Sequence, residues 1–225
     1  MAKLRVGVLI SGRGSNLKAL LDTCLTPGFP AEIVAVISNR PDAVGLKYAQ
    51  ALGVPAIGLD HKAYDSREAF DDALHEALRI AGVEFICLAG YMRLLTPGLI
   101  ARWADRIINI HPSLLPAFRG LRAHEQALAA GVKLAGCTVH IVRPEVDSGP
   151  IIAQAAVPVL DGDDADSLAA RVLEAEHKIY PLALKLIAEQ RVRIVGELAF
   201  IDGVPPSGAI IDGDPSPEML ISPAR

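Results

Sequence analysis

Short, almost continuously apolar runs alternate with helical patterns through the first half of the chain, and this alternation limits the possible folds more than any other feature. Residues 4–10, 32–38, 85–89 and 106–110 read as strands, with 54–59 a further short one. Between them, 15–24, 43–52, 66–81 and 96–104 read as helices. Strands this apolar on both sides belong to a parallel sheet that helices cover on both faces. The expected fold class is therefore α/β, a doubly wound, mostly parallel, Rossmann-like sheet. The second half changes character. A short helix at 123–130 precedes two longer strands, 134–142 and 151–160, and a shaped loop with Pro144, Ser148 and Gly149 separates them. The longest helix is expected over 164–190, with Leu168, Val172, Ala175, Ile179, Leu182 and Leu186 as its apolar stripe and a kink at Pro181. Beyond Arg191 the pattern suggests a strand pair turning at Asp202-Gly203, then a proline-rich end.

Composition narrows the function classes. A formal charge of −4 leaves no broad basic face for nucleic acid or an anionic membrane. The longest apolar run, 85–92, is too short to span a bilayer. Cys24, Cys87 and Cys137 are odd in number and widely spaced, which argues against a disulfide framework or a thiolate zinc site. No histidine and carboxylate set has metal-ligand spacing, so no metal is expected. The reading is a soluble, reduced, cytoplasmic protein acting on small molecules.

Four segments could carry chemistry. Ser11-Gly12-Arg13-Gly14-Ser15-Asn16 joins the first strand to the first helix, where glycines let an anion approach the helix amides. Leu17 stands where a dinucleotide fingerprint needs glycine, and Asn39-Arg40 follows the second strand where that fold needs an acid. No lysine follows Gly14 as a Walker loop requires. A single phosphate group remains, beside the plainer reading of a turn that feeds a helix. In Ile107-Ile108-Asn109-Ile110-His111-Pro112-Ser113, alternation puts Asn109 and His111 on one side of a strand at its carboxyl end. An amide can donate to a developing oxyanion, and an imidazole titrates near neutrality. A buried polar pair closing the strand is the alternative. Glu145-Val146-Asp147-Ser148-Gly149 supplies a carboxylate that would favour the imidazolium if it met His111; otherwise it is a solvated turn. Gly90-Tyr91-Met92-Arg93-Leu94-Leu95 mixes apolar surface with one cation, which suits a planar ligand with an acidic tail or a plain helix lead-in. His61 and His75 read as surface residues, and His140 as a satisfied core imidazole.

These segments, with Gly120-Leu121-Arg122-Ala123-His124-Glu125-Gln126-Ala127-Leu128, Val146-Asp147-Ser148-Gly149-Pro150-Ile151-Ile152 and Glu176-His177-Lys178-Ile179-Tyr180-Pro181, closely resemble the phosphoribosylglycinamide formyltransferases, of the folate-dependent formyltransferase family. The likeness runs in unbroken order over residues 4–190. It implies one formyltransferase domain over 1–190, with a phosphate-binding half at 1–105 and a folate and catalytic half at 106–190, then a tail at 191–225. It implies formyl transfer from 10-formyltetrahydrofolate, as cosubstrate, to the glycine amine of 5-phosphoribosylglycinamide in purine biosynthesis. Carried over by motif, Gly14, Ser15 and Asn16 would hold the substrate phosphate and Glu176 would face its ribose. Arg67, Met92, Arg93, Leu94, Leu95, Asn109 and Val142 would bind the folate, and Asn109, His111 and Asp147 would form the catalytic set. Arg13 adds a cation that could help hold phosphate. Leu173 stands where the family often has lysine or glutamine, so no polar contact is expected there. Phe118-Arg119 receives no role. Within the wider family a formyltetrahydrofolate deformylase is the alternative. The chain begins its sheet too early for the regulatory domain of that enzyme, and has too few residues after Gln190 for the extra domain of a transfer-RNA formyltransferase. A monomer or a homodimer is expected.

Overall fold

The run after Lys3 forms strand β1 (Leu4–Ile10), whose last five residues are buried. Such a strand needs cover on both faces, and the chain supplies it with helices. This computed structural model describes residues 2–202 and 218–221. The fold is α/β, with a mostly parallel sheet and flanking helices. Two compact units divide it, Met1–Asn109 and Ile110–Arg225.

In the first unit β1 is followed by helix α1 (Ser15–Cys24), β2 (Ala31–Ser38), α2 (Val44–Ala51), β3 (Ala56–Gly58), a 3-10 turn (His61–Ala63), α3 (Arg67–Ile80), β4 (Phe85–Leu88) and α4 (Pro97–Arg102). Strand β5 (Ile107–His111) then carries the chain into the second unit. All pairings in the first unit are parallel: β1 with β2 from Leu4↔Ala31, β1 with β4 from Val6↔Phe85, β2 with β3, and β4 with β5 through Leu88↔Asn109. The chain leaves β1 toward β2 and β3, then returns to β4 on its other side. The order reverses between β1 and β4, and the crevice beyond the carboxyl ends at such a reversal is where open α/β sheets bind ligands.

Helix α1 buries Leu17, Leu20 and Leu21, and each such side chain contributes about 1.5–3 kcal/mol of transfer free energy. Helix α3 is capped by Ser66, whose side chain accepts from the Ala69 amide at 3.0 Å, and it buries Phe70, Leu74 and Leu78. Asp71, also buried on α3, accepts the Thr96 amide at 2.7 Å, which anchors the far end of the segment after β4.

The second unit holds helix α5 (Ala123–Ala129), antiparallel strands β6 (Leu134–Ile141) and β7 (Ile151–Pro158), and helix α6 (Ala165–Ala188). Strands β8 (Val192–Val195) and β9 (Leu198–Ile201) pair antiparallel, and β10 (Glu218–Ile221) pairs antiparallel with β7. A capping box between Asp164 and Ser167 starts α6. Leu168, Val172, Ala175, Ile179 and Leu186 form its buried stripe, whereas Leu182 is only half-buried and Leu184 takes the inward place. Helical assignment continues without a break through the buried Pro181. The tail departs from expectation. The tail hairpin turns at Gly196-Glu197, not at Asp202-Gly203, because Val195 pairs with Leu198 and Gly196 has φ 59°. Asp163, just ahead of the capping box, is committed to an ion pair. Its carboxylate grips the Arg171 guanidinium at 2.7 and 2.9 Å, and that pairing holds it well below the usual carboxylate range. The expected proline-rich end lies outside the described residues. Among the described residues no helix is long and apolar enough to cross a membrane.

Candidate active site

In the first unit the glycine loop leaves β1 and enters α1 through Gly14, which adopts the left-handed conformation (φ 78°) as the N-cap. A side chain there would be strained by its backbone angle and would lie 3.2 Å from the Gly45 Cα. Ser15 is exposed and Asn16 buried in the first helical turn. The loop is fixed from outside as well. The Gly45 amide donates to the Gly12 carbonyl at 3.1 Å, and the Ser11 amide donates to the Gly90 carbonyl at 3.2 Å. A cavity of about 490 Å³ opens here, lined by residues 11–16, Asn39, Arg40, His61, Ala89, Gly90 and Met92. It has room for a ligand larger than a phosphate ion. First-turn amides and the Arg13 and Arg40 side chains give it an anion-binding character.

The segment after β4 presents Met92 and Leu94 to solvent, 73% and 55% exposed, while Arg93 and Leu95 are half-buried. The Arg93 guanidinium lies over the Phe70 ring at 4.7 Å, one helical turn beyond the exposed Arg67. Burial, with the Asp71 charge second, pushes the Tyr91 phenol up. That hydroxyl stays protonated and cannot serve as a base at neutral pH.

Asn109 and His111 stand two residues apart on β5 and project to the same side. His111 is buried, and both of its ring nitrogens face acceptors. Nδ1 lies 3.2 Å from the Asp147 Oδ2, and Nε2 lies 3.0 Å from the Phe118 carbonyl oxygen. An imidazolium satisfies both contacts with its two N–H groups. Asp147 is held in turn. Its Oδ2 accepts the Gly120 amide at 2.8 Å, and its Oδ1 lies 3.9 Å from the His140 Nε2. The aspartate sits at φ 46°, a left-handed conformation rare outside glycine, asparagine and aspartate.

The second unit thus brings His111 and Asp147 together, the meeting that the sequence left open. It also places Val142 just beyond β6 and buries Glu176 on α6. Three participants were missed. Phe118 contributes a main-chain oxygen and Gly120 a main-chain amide, and neither contribution depends on a side chain that motif reading could find. His140 was read as a core imidazole, and its Nδ1 does lie near two carbonyls, of Ile141 at 2.9 Å and of Ser148 at 3.1 Å. Its other nitrogen nevertheless faces the aspartate. Alternation from Thr138 along β6 could have put it on the same face as the active loop.

Burial holds His140 below the ordinary imidazole range, as does burial with the His111 charge at His124. A group lowered in the folded state contributes stability above its unfolded value of 6.5 and loses it as pH falls below that value. The wild-type Tm should therefore drop between pH 7 and pH 5 more steeply than that of His140→Asn. Parallel melting curves for the two proteins would remove His140 from this account.

Gly149 closes the loop that carries Asp147. At φ 106° it occupies a conformation for which side chains are unsuited, and a Cβ would lie 2.4 Å from the Ile141 carbonyl oxygen. Gly149→Ala should cost about 1–3 kcal/mol of stability and displace Asp147, lowering turnover. Denaturant titration and steady-state kinetics read the two effects separately.

Cys24, Cys87 and Cys137 are buried and form no disulfide, and burial pushes the Cys24 and Cys137 thiols up, so neither of these two is a ready nucleophile. Among the described residues no group of three or more histidine, cysteine or acidic side chains is placed to hold a metal ion.

The family model described as formyl transferase matches residues 4–184. The chain is 43% identical to the phosphoribosylglycinamide formyltransferase of Escherichia coli (strain K12), over 93% of this chain and 100% of that protein. It is 50% identical to the trifunctional purine biosynthetic protein adenosine-3 of Bos taurus over 85% of this chain, but spans only 19% of that much longer relative. Among solved structures, glycinamide ribonucleotide transformylase 1 from Symbiobacterium toebii superposes with a TM-score of 0.86 at 54% identity, covering 88% of this chain and 93% of that one.

Proposed function

Because the chain belongs to the formyl transferase family, we propose that it is a phosphoribosylglycinamide formyltransferase, moving the formyl group of 10-formyltetrahydrofolate to the glycine amine of 5-phosphoribosylglycinamide in purine biosynthesis. The observation that carries the reading is the buried His111–Asp147 contact of 3.2 Å on a strand that also bears Asn109. The relatives of matching length with that printed activity add to it.

The amine nitrogen attacks the formyl carbon, and negative charge collects on the formyl oxygen. Asn109 donates to that oxygen, and the His111 imidazolium does so from Nε2 as that N–H turns away from the Phe118 carbonyl oxygen, 3.0 Å distant in this structure. The new carbon–nitrogen bond forms as the bond from the formyl carbon to the folate nitrogen breaks. One proton passes from the attacking nitrogen to the departing one, and Asp147 supports that relay by holding the imidazolium in place. No covalent enzyme intermediate is needed, in keeping with buried thiols that burial pushes up. Gly14, Ser15 and Asn16 hold the substrate phosphate through the first-turn amides, and Glu176 binds the ribose hydroxyls. The exposed apolar pair Met92 and Leu94, with Leu95 and Val142, receives the folate ring, while Arg67 and Arg93 meet its acidic tail.

The test is release of the deformylated folate from 10-formyltetrahydrofolate with and without phosphoribosylglycinamide. Turnover that requires the amine supports the reading. Equal turnover without it makes the protein a formyltetrahydrofolate deformylase.

A further inference from the structure

Asn39 follows β2, and sequence comparison with dinucleotide folds offers it no task. The residue is 4% exposed, and both of its oxygens are engaged. The carboxamide oxygen accepts from the Ser11 hydroxyl at 2.5 Å. Its main-chain oxygen lies 2.7 Å from the His61 Nδ1. Ser11 is pinned in turn, since its hydroxyl accepts the Met92 amide at 2.8 Å. The carboxamide nitrogen, with two N–H donors, has no partner among the described residues, and Asn39 lines the glycine-loop cavity. An amide whose acceptor is fixed and whose donors are unspent at a cavity wall offers those donors to whatever ligand enters. The next residue, Arg40, lines the same cavity, as does Arg13 from the loop.

We propose that Asn39 is a further substrate-binding residue, donating from its carboxamide to the phosphate monoester held by the glycine loop, with Arg13 and Arg40 supplying charge around it. The assignment rests on the proposed function for the identity of the phosphate ester. Ser11 fixes the amide's orientation, so the donors point into the cavity before any ligand arrives, and the ordering cost on binding is small.

Asn39→Asp separates binding from architecture, because a carboxylate still accepts from Ser11 but offers no donors and repels phosphate. The expected result is a rise of at least about tenfold in KM for phosphoribosylglycinamide and in Kd for ribose 5-phosphate, as loss of a hydrogen bond to a charged group implies. The KM for 10-formyltetrahydrofolate should stay within about twofold. A second measurement needs no substitution in the titrated protein. The Asn39 side-chain amide resonances of the wild type, identified by their absence from the variant, should shift on titration with ribose 5-phosphate together with the Ser15 main-chain amide. A Ser15 shift without an Asn39 shift, or a wild-type Kd in Asn39→Asp, overturns the inference and leaves the formyl-transfer reading intact. An Asn39-dependent ribose 5-phosphate site in a protein that does not formylate the glycinamide would instead uphold the inference and defeat that reading.

Discussion

His111→Ala should lower kcat by about a thousandfold, with changes of no more than a few-fold in KM for either substrate. The size follows from two roles in one side chain. Removing a single donor to a developing oxyanion costs about 10²–10³ in rate, and loss of a positioned acid–base group costs about 10²–10⁴. The two overlap here, so they do not multiply. The imidazole is buried behind its contacts to Asp147 and the Phe118 carbonyl, so its loss removes no surface on which the substrates would chiefly rest. Activity within tenfold of wild type would exclude His111 from the chemistry and move the burden to Asn109.

Asp147→Asn should reduce kcat by about 10²-fold, somewhat less than the histidine variant, while the protein remains folded. The substitution is nearly isosteric, and asparagine tolerates the left-handed conformation found at φ 46°. What changes is chemistry at one oxygen. The carboxylate Oδ2 now accepts from the Gly120 amide at 2.8 Å and lies 3.2 Å from the His111 Nδ1. With the amide oxygen in that place both contacts survive but the negative charge facing the imidazolium is lost and an N–H group is turned toward His140; with the amide nitrogen there, both contacts are lost. Steady-state kinetics with a melting curve decide the matter. A kcat loss at unchanged Tm supports the positioning role. Near-normal turnover means the ion pair is a structural bystander, and a collapsed Tm means that it is holding the fold instead.

Legibility in the sequence followed the kind of interaction involved. Strand β1 and helix α1 lie at the bounds read from the apolar run and the glycine that ends it, because both signals are local. β5 was displaced by one residue, and the shift matters, since it puts His111 on the strand itself. Val54–Leu59 shrank to Ala56–Gly58, where Pro41 packs so close to Gly58 that a Cβ would lie 2.7 Å from it. The tail hairpin was misplaced because Asp202-Gly203 is the stronger turn signal by composition, yet the register of Val195 with Leu198 fixes the turn earlier. In the site, Asn109 and His111 were readable through strand alternation alone. The partner of His111 was not, because Asp147 reaches it only through the loop between β6 and β7, and no local pattern encodes that approach. The Phe118 carbonyl and the Gly120 amide are less visible still. Every residue but proline has both groups, so residue type carries no trace of where they are used. Asn39 shows the converse. Its identity was noticed only as the lack of an acid, and its buried, half-committed amide becomes informative once Ser11 is seen to hold it.

The central claim is that the formyl carbon passes directly to the amine. It is tested most directly by supplying 10-formyltetrahydrofolate labelled with carbon-13 in the formyl group, together with phosphoribosylglycinamide, and following the label by mass and carbon NMR. The account predicts that the label appears in formylated phosphoribosylglycinamide in step with folate release, with no labelled formate. Labelled formate accumulating at the rate of folate release would contradict it, because the acceptor would then be water and the glycine loop would have no part in the reaction.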